Sequence, residues 1–287
     1  MSVFVSQNSV ISRFENSNSW VILSSIEKQI KEKIERIGTP LKDWDISINY
    51  GIKTGYNEAF IISGDKRKEL IERDSKSADI IRPILRGRDI KRYSSEFADL
   101  YIITTFPSLK IDIEEYPAIK QHLLSFGYDR LKQTSDSGAR KKTNNQWFET
   151  QDAISYWDDF SKQKIVWKRV GSLLKFCYDN SGIFALDSTC FATGEHIKYL
   201  VAFLNSSVGN YLLRDAPKTG TGDLLISVQA IAPIIAPLPE KKFEEQIDSL
   251  TDQLITLVNS DVEKSINTAF YNLFKFSSEE IEFIEFQ

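Results

Sequence analysis

Five cations fall in the eleven residues from Arg82 to Arg92: Arg82, Arg86, Arg88, Lys91 and Arg92. Asp89 is the one acid among them, which leaves a local charge of +4. Guanidinium and ammonium groups at that density do one kind of chemistry well: they hold phosphate oxygens through charge-assisted hydrogen bonds. Gly87 separates Arg86 from Arg88, and a tight backbone there would splay the two guanidiniums to different sides. Each arginine taken alone could instead sit in a structural ion pair, with Asp89 or Asp45 as partner.

Two further stretches repeat the pattern, and a third adds a glycine turn with one lysine. Residues 130–142 hold five cations against Asp136, and Arg140, Lys141 and Lys142 run on through Thr143 into Asn144, Asn145 and Gln146. Side-chain amides are the groups best suited to adenine edges, so this run pairs phosphate-seeking charge with base-reading capacity. Lys162, Lys164, Lys168, Arg169 and Lys175 follow with no acid between residues 162 and 175. On a strand, Lys164 and Lys168 fall on one face and predict a common surface, a merely solvated sheet face being the plain alternative. The third stretch, Gly51-Ile-Lys-Thr-Gly-Tyr-Asn57, predicts a turn that presents Lys53, Thr54 and Asn57 at its tip. Its glycines would be purely conformational if no ligand approaches.

Lys218-Thr-Gly-Thr-Gly222 looks like a phosphate loop but lacks the Gly-x-x-x-x-Gly-Lys-Ser/Thr order, which excludes nucleotide binding of that type. A loop that closes on a polyphosphate backbone through Arg214, Lys218 and Thr219 stays open. Catalytic chemistry finds less support. Asp158-Asp159 and Glu114-Glu115 are adjacent pairs whose side chains diverge on regular structure, and neither His122 nor His196 sits near a nucleophile elbow. Two histidines also exclude a His-rich metal site. Cys177 and Cys190 lie in apolar contexts and read as reduced, buried thiols of an intracellular, cytoplasmic protein.

The elements that must position these groups can be read from periodicity. Ile26, Ile30, Ile34 and Ile37 predict an amphipathic helix stopped by Gly38-Thr-Pro40. Trp44 to Ile62 reads as strand, turn, strand; Lys66 to Arg73 as a short helix; Ile80 to Tyr93 as a loop entering the basic segment. Leu100 to Thr105 predicts a strand, and Tyr116 to Leu124 a helix with proline in its first turn. Residues 132–146, apolar only at Ala139, predict an exposed loop anchored at its far end by Trp147 and Phe148. Lys164–Phe176 and Gly182–Ala192 predict strands, and Ile197–Leu213 one apolar helix. Two helical seams then follow, Phe243 to Leu257 and Val262 to Leu273. No apolar run approaches the length of a membrane span, and no signal peptide or internal repeat is visible.

The net charge of −4 divides unevenly. Residues 240–287 carry eleven carboxylates against four lysines, a net of −7, and leave residues 1–239 at +3. A modestly basic body with an acidic tail is compatible with a polyanionic partner.

In order and spacing, five pieces of the chain resemble the TaqI-like C-terminal specificity domain, the target-recognition region of N6-adenine DNA methyltransferases and type IIG restriction–modification enzymes. They are Gly51–Phe60, Arg82–Ile90, Lys164–Arg169, Lys198–Ser206 and the exit Ile234-Ile-Ala-Pro-Leu-Pro239, followed by a tail through Ile281. The Asn/Asp-Pro-Pro-Tyr motif and the glycine-rich S-adenosylmethionine loop of such enzymes are not in these residues, and the eight prolines include no Pro-Pro pair. The resemblance implies an α+β fold: a mixed, β-rich target-recognition domain over 20–239 with peripheral helices, a linker or frayed start at 1–19, and a C-terminal helical pair over 240–287. Double-stranded DNA would be the partner, along with the methyltransferase domain of the parent enzyme. No cofactor is expected in this chain; S-adenosylmethionine, and Mg2+ if a nuclease is fused, would serve the parent. The competing reading is a protein-interaction module that docks through its acidic helical tail.

Overall fold

The computed structural model describes residues 23–286, so the polar start expected over 1–19 lies outside the described residues. Helix α1 (Ser25–Ile37) opens on a capping box between Ser24 and Glu27 and buries Ile30 and Ile34. Gly38 ends it, and β1 (Gly38–Pro40) leaves in extended form. The apolar stretch that read as strand, turn, strand begins with β2 (Ile46–Tyr50), but a helical turn, α2 (Asn57–Phe60), precedes β3 (Ile61–Ser63), and the two strands join different sheets. The reason lies at Gly51, where a Cβ would stand 2.0 Å from the Leu186 carbonyl oxygen. That close crossing of another backbone takes the chain out of one sheet and into the next.

Helix α3 (Gly64–Arg73) matches expectation, whereas the stretch after Ile80 begins as a strand, β4 (Ile81–Leu85), because Ile81, Ile84 and Leu85 are buried. Then come β5 (Leu100–Ile103), α4 (Pro117–Leu124) and the single turn α5 (Tyr128–Leu131). The strands β6 (Lys164–Lys168), β7 (Val170–Gly171), β8 (Phe176–Asp179), β9 (Phe184–Ala185) and β10 (Thr189–Gly194) follow a long irregular segment. The apolar helix predicted over 197–213 is two helices, α6 (Ile197–Asn205) and α7 (Ser207–Leu213). Between them the Ser206 hydroxyl accepts from the Gly209 N–H and starts the second. After β11 (Leu224–Leu225), α8 (Val228–Ile231) and β12 (Ile235–Pro237), the chain ends in α9 (Lys241–Thr256), α10 (Ser260–Phe274) and α11 (Ser278–Glu285). A third short helix thus extends the expected pair.

The α+β architecture is layered. One antiparallel sheet has the order β2-β10-β6-β8; a second, β3-β5-β4-β9, pairs β4 and β9 in parallel. Ile165, Trp167, Cys190 and Ala192 of the first sheet pack against α1, α6, α7 and the C-terminal helices. On its other face, Val166, Cys177 and Phe191 meet Ile84, Leu85, Ile102 and Phe184 of the second sheet. Helices α2, α3 and α4 cover the far side of that second sheet. Burial on both faces explains why β6 and β10 read as near-continuous apolar runs.

The C-terminal helices share the larger core with the body, and ion pairs tie their carboxylates down. Arg92 meets Glu263 at 2.8 Å, Lys198 meets Asp252 at 2.7 Å, and Arg92 also donates to the Asn205 carbonyl at 2.9 Å. Among the described residues, no helix is long and apolar enough to cross a membrane.

Candidate nucleic-acid interface

The segment Ala185–Thr189 works as a strap that brings distant backbones together. Ile52 donates to the Ala185 carbonyl (2.8 Å), and Asp187 donates to the Ile52 carbonyl (2.9 Å). On its other side, Leu186 donates to the Leu85 carbonyl (2.9 Å), Gly87 donates to the Ser188 hydroxyl (2.9 Å), and Arg169 donates to the Ser188 carbonyl (3.0 Å). Gly87 is needed here, because a Cβ would lie 2.9 Å from Lys168 Cγ and 3.0 Å from the Ser188 carbonyl. The line continues outward through β7, which pairs with β11, and Leu224 of β11 bridges to Lys218. In the opposite direction, Asp152 donates to the Lys53 carbonyl (3.2 Å) and Gln151 to the Thr54 carbonyl (3.1 Å).

Six exposed cations ride on these neighbouring backbones: Lys141, Lys142, Lys53, Arg88, Lys168 and Lys218. Among the described residues none of the six takes part in an ion pair, whereas the exposed helix lysines Lys28, Lys31 and Lys68 pair with Glu32 (3.9 Å), Glu35 (3.7 Å) and Asp65 (3.7 Å). Unpaired cations drawn from five separate stretches of sequence make a rim suited to a polyanion. Asn144, Gln146 and Asn57 add exposed side chains that carry amides.

The remaining expected residues are turned to structural work. Arg140 is 2% exposed, and its guanidinium donates to the carbonyls of Leu131 (2.7 Å), Thr54 (2.9 Å), Glu149 (2.8 Å) and Trp147 (2.7 Å). Burial, reinforced by the charge on Arg130, depresses its pKa to about 10. It thereby pins the segment 132–146 that read as an exposed loop; Gln133 is buried there too, and Trp147 and Phe148 anchor its end as expected. Asn145 donates its amide to the carbonyls of Thr150 (3.1 Å) and Gln151 (3.0 Å), which takes it out of the base-reading set.

Lys164 is fully buried, where Nζ donates to the Phe160 carbonyl (2.7 Å) and pairs with Asp179. Burial depresses its pKa while Asp179 opposes the shift. It therefore shares no surface with Lys168, since β6 is covered on both faces. Arg86 is held by Asp89 through two bonds, Nε to Oδ2 at 3.0 Å and Nη2 to Oδ1 at 2.8 Å. Burial pushes the Asp89 carboxyl up, but the hydrogen bonds from Arg86 outweigh it and hold it below the ordinary carboxylate range. Arg92 is engaged with Glu263, and Lys91 meets Glu96 at 3.2 Å. Thr54 is buried, donating to Asn57 Oδ1 (2.6 Å) and accepting from the Tyr56 N–H (3.1 Å), so it shapes the turn. Thr219 meets the Thr221 hydroxyl (2.8 Å) inside a closed turn of the 216–222 loop, and Arg214 pairs with Glu27 (2.6 Å).

Three rim residues escaped sequence reasoning: Asp152, Asp187 and Ser188. Asp187-Ser188 sits between two apolar strand runs, and a polar pair so placed was a legible turn signal. Both histidines have structural partners, His122 the Ala59 carbonyl (3.0 Å) and His196 the Glu244 carboxylate (2.6 Å). Burial raises both thiols, Cys177 and Cys190, to about 12. Among the described residues, no group of three or more His, Cys, Asp or Glu is placed to hold a metal ion.

Residues 82–225, which carry Arg88, Lys168, the strap and Lys218, match the family described as the TaqI-like C-terminal specificity domain. The chain belongs to this family. No curated protein matches it in sequence. Among solved structures it is similar to MmeI, a type IIL restriction–modification enzyme determined in complex with DNA. The identity is 13% and the TM-score 0.58, over 87% of this chain and 36% of that one. It is also similar to the type IIG restriction endonuclease BpuSI, at 13% identity and a TM-score of 0.48, over 89% of this chain and 33% of that one. The chain thus spans about a third of the length of the solved enzymes it matches. The likeness to MmeI speaks for a shared fold alone.

Proposed function

We propose that the chain binds duplex DNA site-specifically, as the target-recognition part of a restriction–modification enzyme. The observation that carries this reading is the rim of six unpaired cations joined by the 185–189 strap, in a chain whose overall charge is negative. Lys53, Arg88, Lys141, Lys142, Lys168 and Lys218 would contact phosphates and set register, while Asn57, Asn144 and Gln146 would read base edges. Family membership and the DNA-bound MmeI structure support it.

In the longer enzyme, this domain would hold the target against a methyltransferase domain. That domain would bind S-adenosylmethionine and methylate an extruded adenine at N6. A fused nuclease, if present, would bring its own Mg2+. The residues of the rim would supply binding and selection, and the chemistry would lie in those other parts.

The test is a binding titration against duplex DNA at several salt concentrations. Six phosphate contacts give a slope of log K against log salt of about −5, or roughly a thousandfold loss between about 50 and 200 mM. Binding with no salt dependence would remove the phosphate-reading role of the rim.

A further inference from the structure

Two carboxylates interrupt the cationic rim. Asp187 donates its N–H to the Ile52 carbonyl (2.9 Å) and Asp152 to the Lys53 carbonyl (3.2 Å), so both flank the same two residues of the 51–57 turn. Each residue is half-buried. Among the described residues neither carboxylate is in an ion pair, in contrast to Asp89, held by Arg86, and Asp179, held by Lys164, and the Lys53 backbone N–H faces the Asp152 carboxylate. Burial, with the nearby Asp187 charge adding to it, holds the Asp152 carboxyl above its ordinary value against the pull of Lys53 and Lys141.

A surface made only to hold phosphates gains nothing from such groups, since they repel phosphate by the same Coulomb law that favours the lysines. A carboxylate is acceptor-only, and its complement in the major groove is an exocyclic amino group. Cytosine N4 and adenine N6 offer one; guanine and thymine present acceptor oxygens there and would be rejected.

We propose that Asp152 and Asp187 are specificity-determining acceptors that select cytosine or adenine at the positions read beside the 51–57 turn. This rests on the duplex-binding reading of the rim. It is tested by selection from a duplex library with a randomised centre, sequenced after binding to the full chain and to Asp187→Asn, Asp187→Ala and Asp152→Asn. Wild type is expected to enrich a motif containing cytosine or adenine at two positions. Asp187→Ala should lose the preference at one of them by about 10-fold or more while keeping the rest of the motif. Each Asn variant should move from cytosine toward adenine, whose N6 and N7 suit an amide. Affinity for unselected duplex should hold or rise in all three, because a negative charge facing phosphates has gone. A wild-type motif retained unchanged by every variant would overturn the inference and leave the rim reading standing. A wild type that enriches no motif and retains no duplex even at low salt would overturn both.

Discussion

The Arg140 guanidinium donates to the Thr54 carbonyl at 2.9 Å, across 86 residues of chain. One side chain therefore fixes the position of Lys53 relative to Lys141 and Lys142, and it links the two halves of the rim without touching a ligand itself.

Replacing Arg140 removes the partner of four carbonyls at once. Arg140→Ala should cost about 3–5 kcal/mol of stability in urea unfolding, and Arg140→Lys somewhat less, because one ammonium cannot reproduce the planar fork. A loss below about 1 kcal/mol for the alanine variant would contradict the pinning role.

Arg86 and Arg88 are two residues apart and should behave oppositely. Arg88→Ala combined with Lys168→Ala should leave stability within about 0.5 kcal/mol and reduce the salt slope of DNA binding by about 2. Arg86→Ala should instead destabilise the fold, since Asp89 would be left buried and unpaired. Parallel melts and salt titrations separate the two outcomes.

The buried Lys164–Asp179 pair allows a reversal test. Lys164→Met alone should cost about 3–5 kcal/mol by stranding the Asp179 charge, and adding Asp179→Leu should recover most of it. No recovery in the double variant would mean that Lys164 contributes through its bond to the Phe160 carbonyl instead.

Asp248 on α9 has a buried Oδ1 without a partner, and burial, with Glu244 and Asp252 adding to it against Lys198 and His196, raises its carboxyl to about 6. The folded state therefore binds the proton more tightly than the unfolded chain. The contribution of Asp248 to stability is highest below the unfolded value near 4, falls as pH rises to about 6, and stays at the lower level above. Asp248→Asn should accordingly stabilise the protein by about 1–3 kcal/mol at neutral pH, with the gain vanishing near pH 4 in pH-dependent melts.

Much of the helix and strand inventory was legible, because Ile30 and Ile34, or Ile247 and Leu254, mark one face at helical spacing. The strand, turn and strand expected over Trp44–Ile62 part into two sheets because the Gly51 crossing depends on Leu186, a contact remote in sequence. Clusters of cations in the sequence do not say which of their side chains reach solvent and which are buried. Lys164 and Lys168 share a strand face, yet only a second sheet packed over β6 determines which of them sees water. Similarly, Arg140 and Lys141 are equivalent in composition, and four carbonyls from separate turns decide which is buried. The legible part is local periodicity; the illegible part is long-range packing that chooses among like-charged neighbours.

The most direct test of the rim is hydrogen exchange of the chain with and without a duplex at low salt. Slowed exchange should concentrate in residues 52–57, 86–89, 140–146, 168–171 and 186–188. Protection confined to α9, α10 and α11, with none along the 185–189 strap, would contradict the account.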